Sequence, residues 1–199
     1  MTKSRLEAFS DGVFAIIITI MVLELKVPHD ASWAALGELW PIFLSYLMSF
    51  VYVGIYWNNH HHMLHLTDQV NGAILWANLH LLFWLSLVPF TTSWMGEHYV
   101  APLPTAAYGL VLLCAGVAFL ILQRAIIKQQ GPQSRLAAAV GKDVKGKVSG
   151  VLYVLAIPLA FVHHAIAQAI YVIVALTWLV PDRRVERLLA GEELRQDAQ

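Results

Sequence analysis

Polar side chains lie at the start of the first apolar segment of this chain, where they are costly to bury. The segment reads R-L-E-A-F-S-D-G-V-F-A-I-I-I-T-I-M-V-L-E-L-K, and its notable polar members are Arg5, Ser10, Asp11 and Thr19. Charged groups near hydrocarbon usually face a partner or water. A carboxylate beside a basic group or an imidazole can fasten a helix or relay a proton, and a hydroxyl can coordinate a cation. We therefore expect this helix to face other helices or a pore rather than lipid.

The composition is that of an integral membrane protein. Of the 199 residues, 58% are hydrophobic and 13% are charged, whereas soluble domains carry about 25% charged residues. Five long stretches contain no Lys, Arg, Asp or Glu, namely 13–23, 42–57, 73–95, 104–122 and 148–180. One soluble core cannot use so much uncharged apolar sequence, so an all-α integral membrane protein is predicted. The zero net charge and the lack of a basic, aromatic-rich patch do not indicate nucleic-acid binding.

Six membrane-spanning helices are predicted, since a crossing needs about 20 apolar residues. They cover about 8–27, 39–63, 72–95 and 104–128, with two more inside 147–180. Pro28 is expected to end the first helix. The last stretch is too long for one crossing and is expected to divide near His163 and His164, although no Gly or Pro marks a turn there. This gives a six-helix membrane domain over 1–182 and a short charged tail over 183–199.

The basic residues predict the orientation of these helices. Twelve of the thirteen Lys and Arg residues precede helix 1, flank or fill the loop between helices 4 and 5, or follow helix 6. Only Lys26 lies on the other side. Because cytoplasmic loops are enriched in Lys and Arg, both termini are predicted to be cytoplasmic, which agrees with an even number of crossings. The outer loops contain Asp30, Glu38 and Glu97 instead.

One face of helix 1 carries an apolar stripe with a single hydroxyl. At about 100° per residue, one arc holds Gly12, Ile16, Thr19, Ile20, Leu23 and Val27. Spacing alone leaves two interpretations open. The stripe can be a seam between packed helices, with Thr19 bonded to its own backbone. Alternatively it can line a pore in several subunits, where rings of Ile or Leu close the path by dewetting and Thr hydroxyls supply the polar ligands.

Several motifs resemble those of one known family. R-x-x-x-F-S-D-G at 5–12 is similar to the signature of the transmembrane protein 175 family, which comprises endolysosomal leak potassium channels and bacterial homologues. The run F-A-I-I-I-T-I-M-V-L-E-L-K-V-P resembles that family's first helix. Y-W-N-N-H-H and N-L-H-L-L-F-W-L-S-L-V-P-F-T-T resemble segments of its second and third helices. The similarity covers about 5–95, and a single six-helix repeat is typical of the bacterial members, which are tetramers.

The resemblance implies a homotetrameric, potassium-preferring cation channel in a bacterial plasma membrane, with weak selectivity over sodium. Helix 1 of four subunits would line the central pore. Ile16 would be the narrowest constriction, Ile20 and Leu23 would complete the apolar wall, and Thr19 would favour potassium. No enzymatic activity, metal or cofactor is expected, and potassium is the permeant ion. The chain has no T-V-G-Y-G loop, so a filter of backbone carbonyls is excluded and weaker selectivity is expected.

The same resemblance implies a network that holds helix 1 in place. Its expected members belong to helices 1 and 2: Arg5, Ser10, Asp11, Trp57, and either His60 or His61. The run of three histidines at 60–62 leaves the participating ring undecided. Asp11 lies six residues after Arg5, off the i,i+4 ladder, so it is expected to face another helix. Loss of Asp11 or Arg5 is expected to damage folding or assembly before selectivity, and Asn78 and Pro89 of helix 3 are expected to be supporting residues.

Two other classes of protein remain open. Asp11 with a histidine could relay protons in a proton-coupled transporter, although neither an inverted repeat nor a pair of broken helices is apparent. The histidines could form a metal site in a membrane metalloprotein, because His61 and His65 are spaced i,i+4. Against the metal site, no H-E-x-x-H motif occurs.

Overall fold

A computed structural model describes residues 2–141 and 143–179. Its helices are α1 (Lys3–Leu23), α2 (Trp33–Glu38), α3 (Trp40–His65), α4 (Gly72–Ser86), α5 (Val88–Glu97), α6 (Pro102–Gln130), α7 (Arg135–Val140), α8 (Val144–Val162) and α9 (His164–Leu179). Within these described residues, five segments are long and apolar enough to cross a membrane, namely α1, α3, α4 together with α5, α6, and α8. The all-α membrane class is thus confirmed. The predicted tail 183–199 and its arginines, as well as Lys142, lie outside the described residues.

The first helix begins and ends earlier than predicted. α1 spans Lys3–Leu23 rather than 8–27, so the polar cluster lies inside its first turns. Pro28 disfavours a helical conformation at the residue before it, and Lys26 is directed to an ion pair with Glu97. The helix ends five residues before the proline, and the proline accounts only for the non-helical residue next to it.

The third predicted helix is interrupted at Leu87, where α4 gives way to α5. Pro89 lies in the first turn of α5. A proline has no N–H to donate, so the carbonyl of Leu85 cannot receive its usual helical bond from that position. The two helices together still cover Gly72–Glu97, which is long enough for one crossing.

The last apolar stretch divides at His163, as predicted. This residue has an extended backbone, with φ −160° and ψ 115°. α8 and α9 pack as an antiparallel hairpin around it, since the rings of Tyr153 and Tyr171 are 6.3 Å apart. Further from the turn, Trp178 Nε1 donates to Ser149 Oγ at 2.9 Å. α9 therefore runs back along α8, although its 16 described residues are fewer than those of the five long segments.

One end of the bundle is tied together by polar contacts and is named the basic end. Here Lys3 Nζ donates to the carbonyl of His65 at 2.8 Å, and Gln130 Nε2 donates to the carbonyl of Leu66 at 3.1 Å. The end of α3 therefore contacts both the start of α1 and the end of α6. Apart from Lys26, every Lys and Arg of the described residues belongs to this end or to the α6–α8 connection beside it.

Two hydrophobic clusters form the interior, and α6 contributes to both. Leu122 of α6 packs with Leu81 of α4 in the first cluster, and Tyr108 of α6 packs with Tyr171 of α9 in the second. Gly109 permits the second contact, because a Cβ at this position would overlap the Tyr171 hydroxyl. α6 thereby connects the cluster that contains α1 and α4 with the cluster that contains α8 and α9.

Candidate functional site

The two faces of α1 have opposite surroundings. Phe14 and Ile17 are 1% and 3% exposed, whereas Ile16 and Leu23 are 57% and 79% exposed. Thr19 and Ile20 are also exposed. The apolar stripe is therefore not a seam between helices of one subunit. It is available to a neighbouring subunit, to lipid or to a pore.

Thr19 is the hydroxyl of this exposed face. Its Oγ1 donates to the carbonyl of Ile16 at 2.9 Å, which is the backbone bond that the seam interpretation also predicted. A hydroxyl has one donor and two acceptor lone pairs. Thr19 Oγ1 can therefore still accept a hydrogen bond or coordinate a cation on the exposed side.

Arg5 belongs to the same exposed arc and not to the predicted network. It lies eleven residues before Ile16, which is about three turns. Within the described ranges it makes no hydrogen bond or ion pair. The reason is helical geometry, because Ser10 follows Arg5 by five residues and points about 140° away from it.

Ser10 joins a buried network between α1, α3 and α4. Asn78 Nδ2 donates to Ser10 Oγ at 3.0 Å, and Ser10 Oγ donates to the carbonyl of Leu6 at 2.9 Å. Asn78 Oδ1 lies 2.7 Å from His60 Nε2. Because an amide oxygen only accepts, this bond forms with the His60 tautomer that carries its proton on Nε2. These three side chains are at most 1% exposed. Because water does not reach them, their polar atoms depend on one another for hydrogen bonds.

His60 is therefore the ring that faces α1, and Asn78 is the link that sequence reasoning placed only in a supporting role. Asn78 is the one amide in the apolar sequence of α4. Buried polar groups almost always have partners, so a lone amide within a membrane helix is a signal for such a link. The ring of Phe14, 5.5 Å from that of His60, covers the network on the α1 side.

Asp11 contacts α3 through a different residue. Trp57 Nε1 donates to Asp11 Oδ1 at 2.9 Å. Trp57 stacks on His61, which in turn stacks on His65, with centroid distances of 6.1 and 6.3 Å. These groups form an exposed row on α3, whereas His60 is buried. In the described part of the chain, no group of three His, Cys, Asp or Glu side chains is arranged to hold a metal ion.

A groove of about 550 Å³ runs between the exposed stripe of α1 and the α4–α5 segment. Ile16 and Ile20 form one wall, and Glu24 and Glu97 lie at the end opposite the basic end. Lys26 donates a hydrogen bond to Glu97, and this bond raises the pKa of the lysine above its ordinary value. Two carboxylates with one ammonium leave this end of the groove with a net negative charge, which favours cations nearby.

The fold and the site define a helical, multi-span membrane protein whose first helix is anchored on one side and exposed on the other. A family model described as "Endosomal/lysosomal potassium channel TMEM175" matches residues 5–89. A protein of Chryseobacterium sp. (strain P1-3) named as a potassium channel is 54% identical over 189 residues, covering 95% of this chain and 98% of the relative. This chain belongs to the TMEM175 family, as its motifs predicted.

A solved structure and an animal relative extend the comparison. The crystal structure of a lysosomal potassium-selective channel TMEM175 homolog from Chamaesiphon minutus has a TM-score of 0.80 and 29% identity, covering 89% of this chain and 96% of that one. A Danio rerio protein named as the endosomal/lysosomal proton channel TMEM175 is 44% identical over 96 residues, covering 42% of this chain and 18% of that protein. The bacterial relative thus matches nearly end to end, and the animal one only in part.

Proposed function

We propose that this protein is a potassium channel that conducts passively through a pore lined by α1. The observation that carries the proposal is the exposed stripe of α1, which presents Ile16, Thr19, Ile20 and Leu23 on one side of an otherwise anchored helix. The potassium-channel names of the bacterial relatives support it.

The proposed assembly is a homotetramer in a bacterial plasma membrane, with α1 of each subunit around a central axis. Each subunit crosses six times, with α9 as the sixth crossing, and both termini are cytoplasmic. The return of α9 along α8 supports the sixth crossing. The collection of Lys and Arg at the basic end supports its cytoplasmic orientation. Residues 1–182 are the channel domain, and 183–199 are a cytoplasmic tail.

Ion conduction is controlled by apolar rings in this proposal. Four copies of Ile16 form the narrowest ring, and Ile20 and Leu23 continue the apolar wall towards the outside. An apolar ring offers an ion no ligands and closes by dewetting, so conduction requires the Ile16 ring to widen or to fill with water. Four Thr19 hydroxyls near this ring are the polar ligands and favour potassium over sodium weakly.

The buried network positions this face of α1. Rotation of the helix by one residue, about 100°, would turn Ile16 away from the axis. The Ser10–Asn78–His60 bonds and the Asp11–Trp57 bond oppose such a rotation, because each of them fixes one side of α1 to α3 or α4. These residues are positioning residues and do not contact the ion.

Reversal potentials of purified protein in liposomes test the proposal. With potassium inside and sodium outside, we expect currents that reverse at a modestly negative inside potential, as a weak preference for potassium requires, together with single-channel events. A strictly coupled, saturating flux without channel events would instead identify a transporter.

Proton conduction is a second candidate, because the animal relatives carry the name of a proton channel. A pH gradient imposed on the same liposomes without a potassium or sodium gradient separates the two. A reversal potential that follows the proton gradient identifies proton permeation, and a reversal potential at zero identifies a channel for the larger cations alone.

A further inference from the structure

A second cavity lies away from α1, at the basic end, between α3, α6, α7, α8 and the end of α9. Its volume is about 570 Å³, within the range of about 300–1,000 Å³ that is typical of small-molecule sites. The groove beside α1 shares none of its lining residues. The cavity is therefore a separate feature of the subunit and not a part of the proposed ion path.

The polar amide and charged side chains of the cavity wall lie towards the basic end, where apolar residues of α3, α7 and α8 also line it. The polar lining residues near that end are Asn58, Asn59, His62, Gln123, Asp143 and Lys145. Deeper, the wall is formed by Tyr52, Ile55, Leu113, Val117 and Tyr153. From His62 to Tyr52 along α3 the depth is ten residues, about 15 Å. One leaflet of the hydrocarbon core has the same depth, since the whole core is about 30 Å thick.

The polar end of the cavity carries one basic side chain, Lys145, and lies beside a segment whose sequence is rich in Lys and Arg. Residues 124–147 contain six Lys and Arg residues and a single acid, Asp143. The Asp143 carboxylate accepts the N–H of Gly146 at 3.1 Å, so the positive N-terminus of α8 offsets its charge. Lys145 Nζ lies 6.0 Å from the centre of the Trp178 ring, which keeps the ammonium at the edge of the cavity.

We propose that this cavity binds an anionic phospholipid from the leaflet at the basic end. One acyl chain fills the apolar part, and the phosphate lies beside Lys145 and the amides of Asn58 and Asn59. Basic groups between membrane helices are typical of sites for anionic head groups. The apolar part, from Asn58 to Tyr52 along α3, is about 9 Å deep, which is enough for the first part of one acyl chain. The site goes beyond the proposed conduction, and its occupancy does not depend on whether the protein conducts.

Gly150 offers a direct way to fill the cavity. It lines the wall on α8, and a Cβ at this position meets no atom within 4 Å. A phenylalanine side chain here would occupy the space of the acyl chain. Val151 is its matched control on the same helix, because it is 59% exposed and is not a lining residue.

The test measures lipid retained by the purified protein. Wild-type protein in nanodiscs of equal phosphatidylglycerol and phosphatidylcholine is extracted in mild detergent, and bound lipid is counted by native mass spectrometry. We expect wild type and Val151→Phe to retain phosphatidylglycerol preferentially, and Gly150→Phe to lose it. Lys145→Gln should keep the lipid but lower the preference about fivefold, the loss expected for one basic residue.

Two results would overturn the proposal. One is equal retention of the two lipids by wild type, which would leave an apolar cavity without head-group recognition. The other is retention by Gly150→Phe equal to that of Val151→Phe, which would place the bound lipid elsewhere. If Gly150→Phe does not elute at the volume of the wild-type assembly, the test depends on Lys145→Gln alone. An unchanged preference of Lys145→Gln for phosphatidylglycerol over phosphatidylcholine then refutes the phosphate site.

Discussion

His60 Nε2 and Asn78 Oδ1 lie 2.7 Å apart in a site from which water is excluded. The same amide donates to Ser10, so one side chain satisfies groups on two other helices. We expect Asn78→Ala to lower the free energy of unfolding by about 1–3 kcal/mol, because it leaves a buried imidazole N–H and a buried hydroxyl oxygen without partners. Thermal unfolding of the purified assembly measures the change.

Ser86→Ala is the control for Asn78→Ala. Ser86 is exposed on α4 and donates only to the carbonyl of Phe83 in its own helix. Exposed substitutions usually change stability by less than about 0.5 kcal/mol. Equal destabilisation by the two variants would show that the interhelical network contributes nothing beyond a local effect on α4.

Asp11 and Arg5 should behave differently on substitution. Asp11→Ala leaves the indole N–H of Trp57 without its acceptor, whereas Asp11→Asn retains an oxygen in its place. We expect Asp11→Ala to reduce the yield of assembled protein in size-exclusion chromatography, and Asp11→Asn to restore most of it. Arg5→Ala should leave subunit stability nearly unchanged, because Arg5 has no partner within the described residues. If Arg5→Ala lowered the yield of assembled protein as much as Asp11→Ala, the two residues would not have the different roles proposed for them.

The sequence predicted the elements of this fold better than the direction of individual side chains. Hydropathy was sufficient to locate the long helices, and the length of the last stretch predicted the break at His163. The interruption at Leu87 was not predicted, because proline in a first helical turn and proline within a continuous membrane helix give the same hydropathy. The early end of α1 was not predicted either, and Lys26 beyond it pairs with Glu97, a residue distant in sequence.

The candidate site was also predicted only in part, because the directions of its side chains depend on how the helices pack. Periodicity identified the apolar arc of α1, because one arc of a helix can be calculated from spacing alone, but only the fold showed that this arc is exposed. Which histidine joins the network of Ser10 could not be calculated, since His60 and His61 point in directions about 100° apart and the rotation of α3 is set by its packing. The family resemblance supplied the partner helix, and only the fold supplied Asn78 as the link.

Gly109 should be intolerant of even a methyl group. A Cβ here would overlap the hydroxyl of Tyr171, which donates to the carbonyl of Thr105 at 3.0 Å. We expect Gly109→Ala to destabilise the assembly by about 1–3 kcal/mol through overpacking. Gly116→Ala, two turns later on α6, is the control, because its Cβ would meet Tyr56 Oη at an ordinary 3.7 Å. Melting temperatures compare them, and equal melting would show that Tyr171 moves aside without cost.

Thr19 tests the proposed selectivity layer. Thr19→Val preserves the shape of the side chain but removes the hydroxyl, so we expect the ratio of potassium to sodium permeability to fall towards one. Thr19→Ser keeps the hydroxyl and should retain most of the ratio. Bi-ionic reversal potentials in liposomes measure both variants. Should Thr19→Val keep the wild-type ratio, the polar ligands of the path belong to other residues.

Ile16 tests the position of the constriction. Ile16→Asn replaces an apolar ring with side chains that hold water, so the barrier from dewetting should fall and single-channel conductance should rise. Val22→Asn is the matched control on α1, because Val22 is also exposed but points about 120° away from Ile16. We expect the control to conduct like wild type in planar bilayers. A rise in conductance with Val22→Asn and none with Ile16→Asn would mean that the Val22 side of the helix faces the ion, and that the stripe contacts lipid or a neighbouring subunit.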